Sequence, residues 1–141
     1  MSLIYWDTML FVYWLEDNPS YADRVQGIWE AMKRRGDTLC SSVFTVGEAL
    51  TGSYKRGTPE AAEQVRELLR PPHVELIPFT LEVADRYARI RAENRVSPPD
   101  AIHLASAAEA GVDLFLTNDE RLQGLVIRGI DFIAGMDVNL F

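Results

Sequence analysis

Four acidic residues lie where the chain passes from one predicted element to the next, and they suggest one shared site. They are Asp7, Glu48, Asp100 and Asp119. Carboxylates that converge on one point repel one another unless a cation neutralises them, and their oxygens are ligands that Mg²⁺ and Mn²⁺ prefer. A divalent ion held in this way activates water for hydrolysis of a phosphodiester bond. The four residues therefore predict a metal-dependent hydrolytic site.

Helix capping is the simpler explanation for each acid taken alone, because all four lie at or near predicted helix N-termini. Thr45 and Glu48 have the Thr-x-x-Glu spacing of a capping box, and Ser97 and Asp100 repeat it with a shorter acid. Acidic side chains in a first helical turn also interact favourably with the helix dipole. Capping thus stays open as an alternative for every one of the four.

Two features go beyond what capping explains. Glu48 and Asp100 lie within stretches of small and apolar residues, 46–50 and 100–105, which are normally buried. A buried carboxylate costs free energy unless it is paired or bound to a cation. In addition, three of the four acids lie beside predicted strand ends, which indicates that they share one rim of a sheet.

The elements that would position these acids alternate between short apolar runs and longer helical stretches. Strands are predicted over 3–6, 38–42, 74–77, 113–117 and 130–133, and helices over 8–16, 20–35, 45–54, 59–69, 81–94 and 97–110. Strands separated by helices pair in parallel through right-handed crossovers. The prediction is an α/β three-layer sandwich, with a mostly parallel sheet of four to five strands and helices on both faces.

In open parallel sheets, ligands bind outside the carboxyl ends of the strands. Asp7 ends the first predicted strand and Thr117 ends the fourth. Both residues are therefore expected near the same sheet edge, whatever the order of the strands.

Composition fits one compact domain over residues 1–141, with 48% hydrophobic residues and a net charge of −7. The acidic charge opposes binding of nucleic acid, although two bound divalent ions would offset more than half of it. Basic residues form three clusters, at 33–35, at 55–56 and between 86 and 95, each interpreted as a solvated helix face. The single cysteine, Cys40, is interpreted as a buried, inert thiol.

The N-terminal region has no basic segment followed by an apolar core, so no signal peptide is predicted. The apolar run 9–15 is too short to span a bilayer. We therefore expect a cytoplasmic protein without a membrane partner.

Four segments, in this order, resemble the PIN-domain family of nucleases, and more narrowly the VapC-type toxins of bacterial toxin–antitoxin pairs. They are 5–8 (YWDT), 41–50 (SSVFTVGEAL), 99–107 (PDAIHLASA) and 115–119 (FLTND). The resemblance covers essentially the whole chain. It implies that Mg²⁺ or Mn²⁺ is ligated, directly or through water, by Asp7, Glu48, Asp100 and Asp119. Thr8, Thr117 and Asn118 would support the site.

The resemblance also implies an activity and its partners. The expected reaction is endonucleolytic hydrolysis of single-stranded or looped RNA, often a transfer RNA, that leaves a 5′-phosphate and a 3′-hydroxyl. The expected protein partners are a cognate VapB-like antitoxin, which would wrap the toxin and block its site, and a second copy of the chain in a homodimer.

Several alternatives to this interpretation stay open or are disfavoured. Haloacid-dehalogenase-like phosphatases carry Asp-x-Asp after the first strand, but here position 9 is Met9. Phosphoreceiver domains need an acidic pair and a phosphoacceptor Asp at another strand end, and no acid stands out after the third predicted strand. A non-catalytic PIN-like module that binds a protein, and a housekeeping PIN nuclease without an antitoxin, both remain open.

Residues outside the acidic set are given structural roles. His103, three residues after Asp100, is interpreted as a packed, hydrogen-bonded histidine, although contact with substrate or with a carboxylate stays open. His73 is expected in a loop. The three tryptophans have the spacing of packed residues, which favours core or dimer packing over stacking on bases.

Overall fold

A computed structural model describes residues 1–137; the last four residues of the predicted domain, 138–141, lie outside this range. In chain order the elements are β1 Leu3–Trp6, α1 Thr8–Leu15, α2 Ala22–Arg35, β2 Thr38–Ser42, α3 Val43–Arg56, α4 Pro59–Leu68, β3 Glu75–Ile77, α5 Leu81–Glu93, α6 Pro98–Ala110, β4 Leu114–Leu116, α7 Glu120–Gln123 and β5 Phe132–Ala134. The alternation of strands and helices is as predicted up to β4, and α7, between β4 and β5, was not among the predicted helix ranges.

The five strands form one sheet in the order β3-β2-β1-β4-β5, and each neighbouring pair is parallel. Side chains of β1 alternate between its two faces. Ile4 and Trp6 pack into one core with residues of α1 and α2, whereas Tyr5 packs into a second core with residues of α5 and α6. The predicted three-layer α/β sandwich is confirmed, and its sheet is parallel throughout the described residues.

β1 lies in the middle of the sheet, and its carboxyl end is level with that of β4. Trp6 pairs with Leu116, and the next residue, Asp7, donates its backbone N–H to the Leu116 carbonyl at 3.0 Å. Thr117 in turn donates its N–H to the Ala134 carbonyl at 3.0 Å. Asp7 and Thr117 therefore leave neighbouring strands at one edge, as the sequence predicted.

The start of α3 differs from the prediction. The helix begins at Val43, two residues before the predicted start, because the Ser42 side chain caps it by accepting from the Thr45 N–H at 3.2 Å. The interpretation of Thr45 and Glu48 as a capping box is therefore wrong. Glu48 lies in the second turn, so it is not available to the N-terminal amides.

Other predicted features agree more closely. Ser97 caps α6 by accepting from the Asp100 N–H at 3.3 Å. The buried Trp6 and the partly buried Trp14 and Trp29 pack together in the first core. His73 lies in the turn before β3. Within residues 1–137, none of the helices is long and apolar enough to cross a membrane.

Candidate active site

All four predicted acids line one cavity beyond the carboxyl ends of β1 and β4. Its volume is about 430 Å³, and Thr8, His103 and Asn118 also line it. A larger cavity of about 670 Å³ lies between α5 and the C-terminal end of α6, away from these acids. The smaller cavity is the candidate active site because the chemically competent side chains meet there.

Asp7 lies at the N-terminus of α1, where its side chain is 13% exposed. One carboxylate oxygen, Oδ1, accepts from the Thr8 backbone N–H at 2.8 Å, and the other, Oδ2, accepts from the Thr117 hydroxyl at 2.8 Å. Burial raises the pKa of Asp7 above its usual range, and the negative charge of Asp100 adds to this; His103, Thr117 and Thr8 act against it. A nearby cation would stabilise the ionised form.

Thr117 connects two of the acids through one buried hydroxyl. While its Oγ1 donates to Asp7, it also accepts from the Asp119 backbone N–H at 3.0 Å. The next residue, Asn118, donates from its side-chain amide to the Tyr13 hydroxyl at 3.0 Å. The loop after β4 is therefore fixed against both β1 and α1.

Glu48 projects from α3 into the cavity and is held by two donors. Its Oε1 accepts from the Thr8 hydroxyl at 2.6 Å and lies 2.7 Å from Nε2 of His103. Burial alone would raise the pKa of Glu48, but the hydrogen bonds from His103 and Thr8 outweigh it and hold the pKa below the usual range. Glu48 is therefore poised as a carboxylate.

Asp100 and Asp119 present different surroundings. Asp100 lies in the first turn of α6, partly buried, at the wall of the cavity. Asp119 caps α7 and is paired with Arg121, whose Nη2 lies 2.7 Å from its Oδ2 and whose Nε lies 3.0 Å from its Oδ1. The Arg121 guanidinium lowers the pKa of Asp119. A cation in the cavity would compete with Arg121 for this carboxylate.

The donor set suits a hard divalent cation, but the acids are not closed around one point. Within residues 1–137, no three His, Cys, Asp or Glu side chains lie close enough together to ligate a single ion. Glu48 is already in contact with His103, and Asp119 is already paired with Arg121. Mg²⁺ usually keeps several water ligands and binds through one or two carboxylates, so it does not require three protein ligands at one point.

One polar group of the site was missed by sequence reasoning. The hydroxyl of Tyr5 lies 2.7 Å from Nδ1 of His103, on the opposite side of the imidazole from Glu48. Tyr5 is fully buried, and this burial raises its pKa well above the usual value although hydroxyls of Ser41, Ser42 and Thr45 act against the shift. His103 itself is packed and hydrogen-bonded, as expected. The only sequence signal for Tyr5 was its place in the segment 5–8.

Comparison with known proteins supports one family. A family profile described as PIN domain matches residues 4–126. Comparison with curated protein sequences gives no match.

Similar solved structures span nearly the whole chain. VapBC2 from Rickettsia felis, bound to a promoter DNA fragment, has a TM-score of 0.76 and 17% identity, covering 94% of this chain and 98% of its own. DNA-bound VapBC from Salmonella typhimurium has a TM-score of 0.75 and 23% identity, with 96% and 99% covered. VapC20 from Mycobacterium tuberculosis, described as a sarcin-ricin loop cleaving toxin, has a TM-score of 0.70 and 16% identity, with 87% and 96% covered. At these identities the likeness establishes the shared fold.

Proposed function

The chain belongs to the PIN domain family, and from this premise we propose that it is a metal-dependent endoribonuclease, the toxin of a VapBC-type pair. The observation that carries the proposal is the meeting of Asp7, Glu48, Asp100 and Asp119 at one cavity from four separate segments. The proposal is also supported by two similar structures described as VapBC and by one described as a toxin that cleaves the sarcin-ricin loop.

In the proposed mechanism, Asp7 and Asp100 hold the main Mg²⁺ or Mn²⁺, and Glu48 and Asp119 complete or orient its surroundings. When bound, the ion supplies a water of lowered pKa and offsets the charge that develops on the phosphate. Thr117 holds Asp7 Oδ2 in place and Thr8 holds Glu48 Oε1. This chemistry requires no Ser, Cys or His nucleophile.

The proposed partners follow from the same assignment. The substrate is RNA, with a transfer RNA as one candidate, and a cognate VapB-like antitoxin restrains the activity of a cytoplasmic homodimer. Because the chain has a net charge of −7, the cavity repels phosphates until cations are bound. RNA binding is therefore expected to depend on the divalent ion.

Cleavage of a labelled RNA in the presence of Mn²⁺ tests the catalytic proposal. Asp7→Asn and Asp100→Asn are expected to abolish cleavage while the fold, followed by circular dichroism, is retained. Asp85→Asn is the matched control, because Asp85 pairs with Arg89 on the exposed face of α5, outside the cavity. Undiminished Mn²⁺-dependent cleavage by both cavity variants would contradict the assignment.

Co-expression with the product of a small adjacent gene tests the toxin assignment. A VapB-like protein, with a DNA-binding N-terminal part and a disordered tail, should copurify with the chain and suppress its cleavage of RNA. Cleavage that persists in such a complex, or the lack of any complex, would instead favour a housekeeping PIN nuclease.

A further inference from the structure

A continuous chain of hydrogen bonds runs from the buried core to the candidate active site. It begins at the Tyr5 hydroxyl, 2.7 Å from His103 Nδ1, and continues from His103 Nε2 to Glu48 Oε1 at 2.7 Å. The Thr8 hydroxyl joins the same Glu48 oxygen at 2.6 Å and lies 3.1 Å from His103 Nε2. His103 lines the cavity, whereas Tyr5 does not and is linked to Glu48 through His103.

The Glu48 carboxylate determines which atom donates in each hydrogen bond of this series. An ionised carboxylate only accepts hydrogen bonds, so the Nε2 that faces Glu48 must carry a hydrogen. A neutral imidazole with its hydrogen on Nε2 has a lone pair on Nδ1, and the Tyr5 phenol can donate to it. Each of these contacts then joins one donor to one acceptor.

Packing holds both rings so that these directions are maintained. Tyr5 is 0% exposed and stacks on Phe115, with ring centroids 5.0 Å apart and planes within 6°. His103 is 2% exposed and lies against Phe44, with centroids 5.4 Å apart. Neither ring can turn freely, so the hydrogen bond to Glu48 is preorganised.

We propose that Tyr5 and His103 are positioning residues that fix Glu48 for the divalent cation. Tyr5 donates to Nδ1 and thereby selects the imidazole tautomer that presents Nε2–H to Glu48 Oε1. Among the described residues, the hydrogen bonds of Glu48 all go to Oε1, which leaves Oε2 for the cation or its water shell. This inference rests on the proposed metal-dependent function.

A nitrogen NMR experiment tests the tautomer directly. The chain has two histidines, and the exposed His73 serves as an internal reference beside His103. With ¹⁵N-labelled imidazoles, the hydrogen of His103 is expected on Nε2, which faces Glu48, and Nδ1 is expected to accept from Tyr5. Tyr5→Phe should lose the hydrogen bond at Nδ1 and shift that nitrogen. A hydrogen on Nδ1 of His103 would overturn the proposal, because Tyr5 could not then donate to that nitrogen.

Calorimetric titration with Mn²⁺ tests the effect on the cavity. Loss of a residue that holds a metal ligand by hydrogen bonding typically lowers metal affinity 10–100-fold. Tyr5→Phe is therefore expected to weaken Mn²⁺ binding by about tenfold. The matched control is Ser106→Ala, which removes another buried hydroxyl, one that donates to the Ile102 carbonyl at 2.8 Å within α6. A merely structural role predicts equal affinities for these two variants.

Further variants separate positioning through Glu48 from other effects. His103→Gln, which can keep a donor near the position of Nε2, should retain more Mn²⁺ affinity than His103→Leu. In a Glu48→Gln background, Tyr5→Phe should cause no further loss, because the two residues act in series. An additional tenfold loss there would overturn the proposal.

The outcomes also separate this inference from the function on which it rests. If the wild-type chain binds no Mn²⁺, both the metal-dependent function and the positioning role are wrong. If the wild-type chain binds Mn²⁺ and Tyr5→Phe binds it as tightly as Ser106→Ala, only the positioning role is overturned.

Discussion

At the scale of single residues, Thr117 shows how one side chain can serve two elements. Its hydroxyl is fully buried, donates to Asp7 and accepts from the backbone of Asp119. A valine has nearly the same shape but makes neither hydrogen bond. The consequence is a buried carboxylate oxygen and a backbone amide that both lose a partner.

Thr117→Val is therefore expected to lower the free energy of unfolding by about 1–3 kcal/mol. Urea denaturation in the presence of a chelator measures this change without a contribution from metal. The control is Thr51→Val, because Thr51 is exposed and its hydroxyl donates to the Gly47 carbonyl of its own helix. Equal stability losses in the two variants would show that the Thr117 hydroxyl contributes nothing specific.

Cys40 is buried in the second core, and its reactivity is expected to be low. Burial, with a smaller effect from the charge of Glu75, raises the pKa of the thiol to about 12. Since the thiolate is the reactive form, the native thiol should react with a disulfide reagent at pH 8 on the order of a thousandfold more slowly than in denaturant. Similar rates in the two conditions would place the thiol at the surface.

The acids of the candidate site could be predicted from the sequence, but the side chains that donate hydrogen bonds to them could not. Acids next to strand ends and within apolar stretches identified the cavity wall, since burial of a carboxylate requires compensation. The donors to Glu48 are 40 and 55 residues away in the chain, and no local pattern reveals such pairs. Arg121 is only two residues from Asp119, so that ion pair was within reach of the sequence.

At the scale of elements, the position of α6 determines where Asp100 and His103 lie in the cavity, because its first two turns carry both residues. Its other end is fixed by a close approach of the loop that precedes β5. A Cβ built on Gly129 would lie 2.6 Å from the carbonyl oxygen of Ala108, and Gly129 has a φ of +100°. Both the contact and the backbone conformation require glycine.

Gly129→Ala is expected to lower the free energy of unfolding by about 2–4 kcal/mol, because it combines backbone strain with a clash against main chain. Gly124→Ala, in the same loop region, is the control: its φ is −90° and a Cβ there meets nothing within 4 Å. The control should change stability by less than about 1 kcal/mol. Thermal melts of both variants make the comparison, and a tolerated Gly129→Ala would contradict the close approach.

Elements were predicted well where local signals are strong. β2 was predicted over its observed range, Thr38–Ser42, and α6 was delimited by two prolines and Gly111. α3 starts earlier than predicted because Ser42 is both the last strand residue and the helix cap. α7 was not among the predicted helix ranges, although Asp119 was placed near a helix N-terminus, since a four-residue helix leaves no helical periodicity to detect.

At the scale of the whole molecule, the strand order could not be predicted from the sequence. Which strands become neighbours depends on packing between distant segments, whereas the parallel pairing follows from the alternation of strands and helices. The observed order puts β1 beside β4, so Asp7 and Thr117 come within hydrogen-bond distance. The shared edge was predictable, but the 2.8 Å contact across it was not.

The acidic charge of the whole chain connects stability to metal binding. The molecule carries a net charge of −7. Within the cavity, the negative charge of Asp100 contributes to the raised pKa of the mostly buried Asp7. A divalent cation that binds only the folded chain relieves this repulsion and stabilises the fold by mass action. Screening by salt also relieves repulsion, so measurements with and without the metal need equal ionic strength.

Mn²⁺ is therefore expected to raise the melting temperature of the wild-type chain. At a free concentration about 100 times the dissociation constant, the stabilisation is about 2.7 kcal/mol, which corresponds to roughly 5–15 °C for a chain of this length. Differential scanning calorimetry at constant ionic strength measures the shift. Asp7→Asn and Asp100→Asn should lose most of it, whereas Asp85→Asn should keep it. An equal shift in all four proteins would mean that Mn²⁺ acts on the general surface charge and that the cavity is not its site.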